Sequence, residues 1–494
     1  MTRELRLMFD FENTYADLPE GFYERVKPSL VGCPSLIKFN EDLARELGLP
    51  ELSLESITKI FSGNEIPKGA EPLAQAYAGH QFGNFVSRLG DGRAILLGEV
   101  IDINGKRRDI QLKGSGVTPF SRSGDGRAWL GPVIREYIVS EAMYALGVPT
   151  TRSLAAVLTG EDIYRDSKLP GAVLTRVASS HIRIGTFEYF AARRDTEILR
   201  VLADYVIARH YPEIVVKENR YAELLKAVLE RQSSLVVQWM SFGFIHGVMN
   251  TDNVSISGET LDYGPCAFMD VYHPDTVFSS IDRYGRYAYQ NQATICQWNL
   301  SCLAIALLPL IDMDSKKAIE ICSKVLDSFK DKFEEKFTSA FLKKIGIEHG
   351  SNQDYQLVKD LLDLMQKYRA DFTLSFRYLS DLISENSDSS RFFALFDEGS
   401  NSELSLWIKK WRERINENDP KLISNNMKQV NPLFIPRNHR VEEVIKEAYF
   451  NSDYSYMEKL LDILSRPYEQ QQDSLEYCYP PEDKDQNYVT FCGT

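Results

Sequence analysis

The chain has 494 residues, with 57 Lys plus Arg against 70 Asp plus Glu, a formal net charge of −13 and 44% hydrophobic residues. These proportions fit a globular chain with a large core, organised as about three domain-sized units or one large two-lobed fold. They exclude disorder, collagen-like and coiled-coil architectures, and the acidic balance argues against nonspecific nucleic-acid binding, which depends on a strong positive field.

In chain order, the opening MTRELRLMFDFENTY carries acidic residues within its first ten positions and reads as neither a secretion signal nor a transit sequence. From about residue 85 to 180, short β-like runs are broken by glycine. Phe85–Leu89 reads as a strand, Gly90-Asp91-Gly92-Arg93 as a turn, Ala94–Val100 as the next strand, and Asn104-Gly105 as a tight hairpin turn. Arg108–Lys113 returns and Gly114-Ser115-Gly116 ends it. Pro132 suits the first turn of a helix through about Leu146, capped by Gly147, and Ser153–Leu158 and Ala172–Ala178 are two further strands. This order is that of a kinase N-terminal lobe. From about 185 to 465 the pattern is almost entirely helical, including a long helix over Glu218–Phe242. The most apolar run, Cys302–Ile311, is ten residues and too short to span a membrane. From about Arg466 the chain is polar and expected to pack loosely. The seven cysteines are scattered without a CxxC pair, the usage of a reducing compartment, so a cytoplasmic location is expected.

The chemistry-bearing residues follow the same order. The glycines at 90 and 92 would let backbone N–H groups approach a phosphate, although a glycine turn alone is as well read as a hairpin connector. Lys113 ends its strand where a kinase places its phosphate-contacting lysine, and Glu136, on the following helix, is the carboxylate to hold it. Standing alone, Lys113 is a solvated strand-end lysine, and Glu136 with Arg135 an ordinary helix-surface pair. His246 and Asn253 keep the seven-residue spacing of a kinase catalytic loop, but the position of the usual base is Val248, which leaves Asp252 as the nearby carboxylate. Leu261-Asp262-Tyr263-Gly264 resembles the metal-binding D-F-G turn, with Asn253 and Asp262 as oxygen ligands for Mg²⁺; a simple hairpin over Val254–Asp262 is the alternative. Arg93, Arg127, Arg176 and Arg183 form a group of arginines suited to phosphate.

These residues resemble the selenoprotein O (SelO/YdiU) family of kinase-like protein adenylyltransferases. So do Ala76–Gly83 (AYAGHQFG), the stretch Gln111–Arg127 and Trp298-Asn299-Leu300. The resemblance runs from about Phe39 to the C-terminus. It implies transfer of AMP from ATP to Ser, Thr or Tyr hydroxyls of proteins with release of pyrophosphate. It also implies ATP bound inverted relative to kinases, and UMP transfer with Mn²⁺ as a further activity. Position by position, it implies nucleotide binding by Gly90, Gly92, Arg93, Lys113, Asp125, Gly126, Arg176, Arg183 and Asp262. It makes Asp252 the proton acceptor, Asn253 and Asp262 the metal ligands, and Glu136 the partner of Lys113. Cys492 resembles the family's C-terminal cysteine or selenocysteine, but Val277–Ser280 lacks the expected partner cysteine, leaving Cys266 as a substitute.

The expectation is an α+β, two-lobed kinase-like fold: an N-terminal lobe over 1–185, a helical lobe over 186–465 and a tail over 466–494. The expected partners are ATP, or UTP, and hydroxyl-bearing protein substrates, with neither nucleic acid nor membrane. A phosphotransferase using the γ-phosphate and a non-catalytic nucleotide-binding scaffold are the rival functions, the latter favoured by Val248.

Overall fold

The computed structural model describes residues 9–351, 353–383, 389–415, 419–483 and 490. The first part of the chain forms β1 (Tyr23–Arg25), β2 (Ser35–Phe39), β3 (Leu73–Gln75), β4 (Gly79–Gln81), β5 (Asn84–Val86), β6 (Ala94–Ile101), β7 (Arg107–Lys113), β8 (Ala128–Trp129), β9 (Arg152–Tyr164) and β10 (Lys168–Ala178). The main sheet is antiparallel in the order β1-β3-β6-β7-β10-β9-β2, with β8 also on β10; β4 and β5 form a separate hairpin.

Strand alternation decides which side chains meet. Ile110, Leu112, Val173 and Val177 belong to one buried cluster with Leu43 of α1 (Glu41–Glu46) and Ile57, Ile60 and Phe61 of α2 (Leu54–Ser62). The intervening residues turn to the other side, where α3 (Leu130–Ala145) packs through Ile134, Ile138 and Ala142 with Leu174 and Ala156. Gln111 and Lys113 lie on this second side, with Arg176 opposite Gln111 in the register of β7 and β10. The hairpin at Asn104-Gly105 closes as expected: Gly105 takes φ +74°, and the Asp102 carboxylate accepts from Asn104 N and Lys106 N at 2.9 and 2.8 Å.

Three of the expected strands differ in extent or pairing. Only Phe85 and Val86 of the run 85–89 are strand, because Gly83 (φ +87°) folds them back onto β4 instead of into the main sheet. β9 and β10 extend to Tyr164 and back from Lys168, through polar residues with no apolar alternation to reveal them.

The helical part comprises α4 (Ile184–Ala192), α5 (Thr196–His210), α6 (Arg220–Ser241), α7 (Gln292–Ile311), α8 (Ser315–Lys344) and shorter helices that end with Asn438–Asn451 and Ser455–Leu464. Tyr289–Ile311 is, by length and mean hydropathy (1.7), long and apolar enough to cross a membrane, which corrects the ten-residue reading. It packs against α4, α6 and α8, with 61% of its most apolar window buried, as a core helix does. The two last helices lie against α3, where Arg135 pairs with Glu442 and donates to Asn438 Oδ1 at 2.8 Å. Arg135 and Glu136 are both buried and point to different partners, so the surface-pair reading fails.

The chain after Arg466 is not loosely packed as far as residue 478. Tyr468 donates to Leu146 O at 2.9 Å, and Cys478 is fully buried, with its carbonyl held by Arg437. Arg437 is itself fully buried and ion-paired with Asp371 and Asp270.

Lys344, at the end of α8, is 2% exposed and sits 4.5 Å from the ring centre of Phe376, with Phe372 and Phe242 beyond. Burial lowers its pKa from 10.5 to about 7. Between those values the unfolded chain holds a proton that the folded chain has lost, so this residue makes stability rise from pH 7 towards pH 10. Lys344→Met is expected to be more stable than the parent at pH 7, with the difference shrinking towards pH 10; chemical denaturation across that range checks it.

Candidate active site

Five charged side chains meet between the sheet and the helices. Lys113 Nζ lies 2.6 Å from Glu136 Oε2 and 3.0 Å from Asp262 Oδ1. Arg176 Nη1 lies 2.6 Å from Asp262 Oδ1 and 3.2 Å from Glu136 Oε1, and Arg183 Nη1 is 3.3 Å from Asp262 Oδ2. Asp262 thus faces three cations. Burial opposes its charge, but Arg176, Lys113 and Arg183 hold its carboxyl well below the usual range. It adopts φ +62°, a left-handed conformation that aspartate tolerates better than most residues and that concentrates at functional sites. The hairpin reading of Val254–Asp262 also holds in part, since Val254 bridges Thr260 and the turn contains Gly258 at φ +83°. The two readings describe the same turn.

The catalytic-loop frame is built around a neutral histidine. His246 is 1% exposed and burial lowers its pKa; its ring bonds to Leu261 O at 2.9 Å through Nε2, while Nδ1 accepts from Val248 N at 3.4 Å. The first contact ties the loop to the Asp262 turn, and the second braces the loop itself. Val248 contributes its carbonyl, which accepts from Asn253 Nδ2 at 3.0 Å and fixes the amide so that Oδ1 remains for another partner. Asp252 is buried, and that burial raises its pKa to about 6, with a smaller contribution from Asp262. Its Oδ1 has no hydrogen-bond partner among the described residues. Arg183 joins the two carboxylate sites, donating from Nη1 to Asp252 O at 2.8 Å.

Asn253 and Asp262 offer hard oxygen donors to a divalent cation of the kind that takes few protein ligands beside phosphate and water. Buried atoms near them without a hydrogen-bond partner among the described residues, Asp252 Oδ1, Arg183 Nη2 and Arg176 Nε, fit a site completed by a polyanionic ligand and its metal.

The outer residues are disposed differently. The turn at 90–93 joins β6 beside Lys113, with Gly114 N donating to Arg93 O at 2.7 Å. Gly90 N and Asp91 N are already bonded to Tyr77 O and Gln75 O, so these two are not free to cradle phosphate. Gly90 is required for another reason: a Cβ there would stand 2.3 Å from the Phe120 ring. Asp125 pairs with Arg165 at 2.7 Å on an exposed turn, beside Gly126, which packs on Gly116 at φ +67°. Arg127 turns to Glu161 at 3.3 Å, away from Asp262, so the four arginines do not form one cluster. Cys492 lies outside the described residues; Cys266 is fully buried, and its carbonyl accepts from Arg135 Nη1 at 3.4 Å.

The reading of individual residues missed Asp91, Gln111 and the Gly79–Phe82 segment. Asp91 is buried between the two glycines and accepts from Gln111 Nε2 at 3.2 Å, while Gln111 Oε1 accepts from Arg176 Nη2 at 2.8 Å. The two-residue spacing of Gln111 and Lys113 in a strand was a signal for it. Gly79–Phe82 clamps the catalytic loop: His80 N donates to Thr251 Oγ1 at 2.7 Å, Gln81 Nε2 to Asp252 Oδ2 at 3.5 Å and Phe82 N to Asn250 Oδ1 at 2.9 Å. His80 Nδ1 is anchored 2.5 Å from Glu188 Oε1. A Cβ at Gly79 would lie 2.4 Å from Asp252 Oδ1. Gly79→Ala is therefore expected to lower transfer activity at least about tenfold by shifting this carboxylate, with ATP-induced thermal stabilisation retained. Parallel activity and melting measurements check it.

A sheet that presents a lysine held by a helix carboxylate, above a helical region that presents Asp252, Asn253 and Asp262, is the layout of a kinase-like enzyme. The family model described as "Protein adenylyltransferase SelO" matches residues 5–465. Two proteins named "Protein nucleotidyltransferase YdiU", from Rhizobium johnstonii and Rhizobium meliloti, are each 56% identical over 490 residues. The alignments cover 98% of this chain and 97% and 99% of theirs. A third of the same name, from Bradyrhizobium diazoefficiens, is 55% identical over 98% of this chain and 99% of its own. The chain belongs to the SelO family of protein adenylyltransferases, enzymes that use a nucleoside triphosphate.

Proposed function

We propose that this enzyme transfers AMP from ATP to Ser, Thr or Tyr hydroxyls of protein substrates and releases pyrophosphate, with UMP from UTP as a further activity. The observation that carries the reading is the sharing of Asp262 by Lys113, Arg176 and Arg183 beside an unpartnered Asp252 oxygen. In this reading Lys113, positioned by Glu136, and the two arginines take the triphosphate. Gly90, Gly92, Arg93, Asp125 and Gly126, which the resemblance assigns to the nucleotide, border it. Arg176 and Arg183 bring guanidinium groups into the cleft beside Asp262, and these suit an inverted nucleotide whose β- and γ-phosphates would lie where a kinase holds adenine. Asn253 and Asp262 would hold Mg²⁺ or Mn²⁺, which when bound neutralises charge on the phosphates.

Asp252 takes the proton of the acceptor hydroxyl as its oxygen attacks the α-phosphorus. The bond from that phosphorus to the α–β bridging oxygen breaks, and pyrophosphate leaves with its charge balanced by Lys113, Arg176 and Arg183. Positioning and charge neutralisation supply most of such catalysis, so Val248 at the usual base position does not preclude it. A cytoplasmic location belongs to the same reading, as does a lobe boundary near residue 185, between the end of β10 and the start of α4.

Incubation with protein substrate and ATP labelled at either the α- or the γ-phosphate tests the proposal. Label on protein from the α position alone is expected. Label from the γ position alone would make the enzyme a phosphotransferase, and nucleotide binding without transfer would make it a scaffold.

A further inference from the structure

Beside the catalytic loop opens a cavity of about 430 Å³, within the size range of ligand clefts, lined by Phe82, Ile281, Arg283, Tyr284, Arg286 and Asn291, among others. Its inner wall is continuous with the Asp252 site. Phe82, which bonds Asn250, packs its ring 5.1 Å from that of Tyr287, and the Tyr287 hydroxyl donates to the same Asn250 oxygen at 2.5 Å. A segment lying in the cavity therefore passes within a few residues of the proton acceptor.

The cavity's charge is opposite to that of the whole chain. Asp282 also lines it, but its carboxylate is committed, accepting from Arg286 N at 2.9 Å and Tyr287 N at 2.8 Å. Arg283 is exposed and, among the described residues, has no ion pair. Arg286 stacks its guanidinium 4.7 Å from the centre of the Trp298 ring, and its Nε and Nη2 have no hydrogen-bond partner among the described residues. Two cations without a carboxylate ion pair among the described residues, in a chain of net charge −13, suit an anionic occupant. Tyr284 at 98% and Ile281 at 56% exposure form an apolar rim of the kind that marks an interaction site.

We propose that this cavity docks the acceptor protein and selects segments that carry a Glu or Asp side chain within a few residues of the modified hydroxyl. The proposal rests on the transfer reading, so its test separates the two. Fluorescein-labelled peptides with a single Ser or Tyr, flanked on both sides by Glu, Ala or Lys, are titrated by anisotropy against the full-length enzyme with a non-hydrolysable ATP analogue. The same peptides are then assayed with α-labelled ATP.

The Glu-flanked peptide is expected to bind about tenfold more tightly than the Lys-flanked one. Arg283→Glu is expected to abolish or reverse that preference while ATP-induced thermal stabilisation stays at the parent value. Equal binding of the Glu and Lys peptides, or a preference unchanged in Arg283→Glu, overturns the docking site even if both peptides become labelled. Preferential binding of the Glu peptide without labelling of any peptide upholds the docking site and overturns the transfer reading.

Discussion

Asp262→Asn is expected to abolish nucleotidyl transfer and, without nucleotide, to destabilise the fold by about 3 kcal/mol. Asparagine matches aspartate in shape and tolerates the left-handed backbone at φ +62°, so the substitution removes charge with little added strain. What remains is Lys113, Arg176 and Arg183 grouped around a neutral amide, opposed among the described residues by Glu136 and, less directly, by Asp91 and Asp252. A triphosphate supplies the missing negative charge. In EDTA, ATP should therefore raise the melting temperature of Asp262→Asn more than that of the parent. A variant that melts like the parent, or that gains no more from ATP, would show that the three cations are not balanced through this carboxylate.

Asp252→Asn is expected to lower transfer about 10²–10⁴-fold, the usual contribution of a positioned general base, while ATP-induced stabilisation stays near the parent value. The side chain is buried against Gly79 and, among the described residues, Gln81 is the one side chain that hydrogen-bonds it, so an isosteric amide fits the space. Single-turnover transfer measured beside thermal shift separates loss of chemistry from loss of binding. Unchanged transfer would place the proton acceptor elsewhere.

Much of this centre was legible in the sequence, because its members sit on regular elements. A lysine at the end of its strand and the next helix, marked by Pro132, carry Lys113 to Glu136, and a seven-residue frame carries His246 to Asn253. Arg176 was conspicuous as a charge in an otherwise apolar strand, and it is indeed buried at 2% exposure. The contacts that depend on distant folding were not legible. Gly79–Phe82 meets residues 250–252 only because the β4–β5 hairpin leaves the sheet and crosses to the helical side, which no local pattern announces. Gly90 looked like a phosphate-contacting glycine, but its lack of a side chain makes room for Phe120, thirty residues later in the chain. The apolar character of α7 was underestimated because Gln297, Trp298 and Asn299 interrupt it, yet Asn299 is buried with its amide on Met249 O at 3.0 Å. A polar residue in a core helix holds the catalytic loop in place.

Which phosphorus faces Asp252 decides the bond that breaks, and a crystal structure with a non-hydrolysable ATP analogue and Mg²⁺ measures that directly. The α-phosphorus should lie nearest the Asp252 carboxylate, with the β- and γ-phosphates against Lys113, Arg176 and Arg183 and the adenine directed outward. Adenine deep against Arg176 and Arg183, with the γ-phosphate beside Asp252, would contradict it.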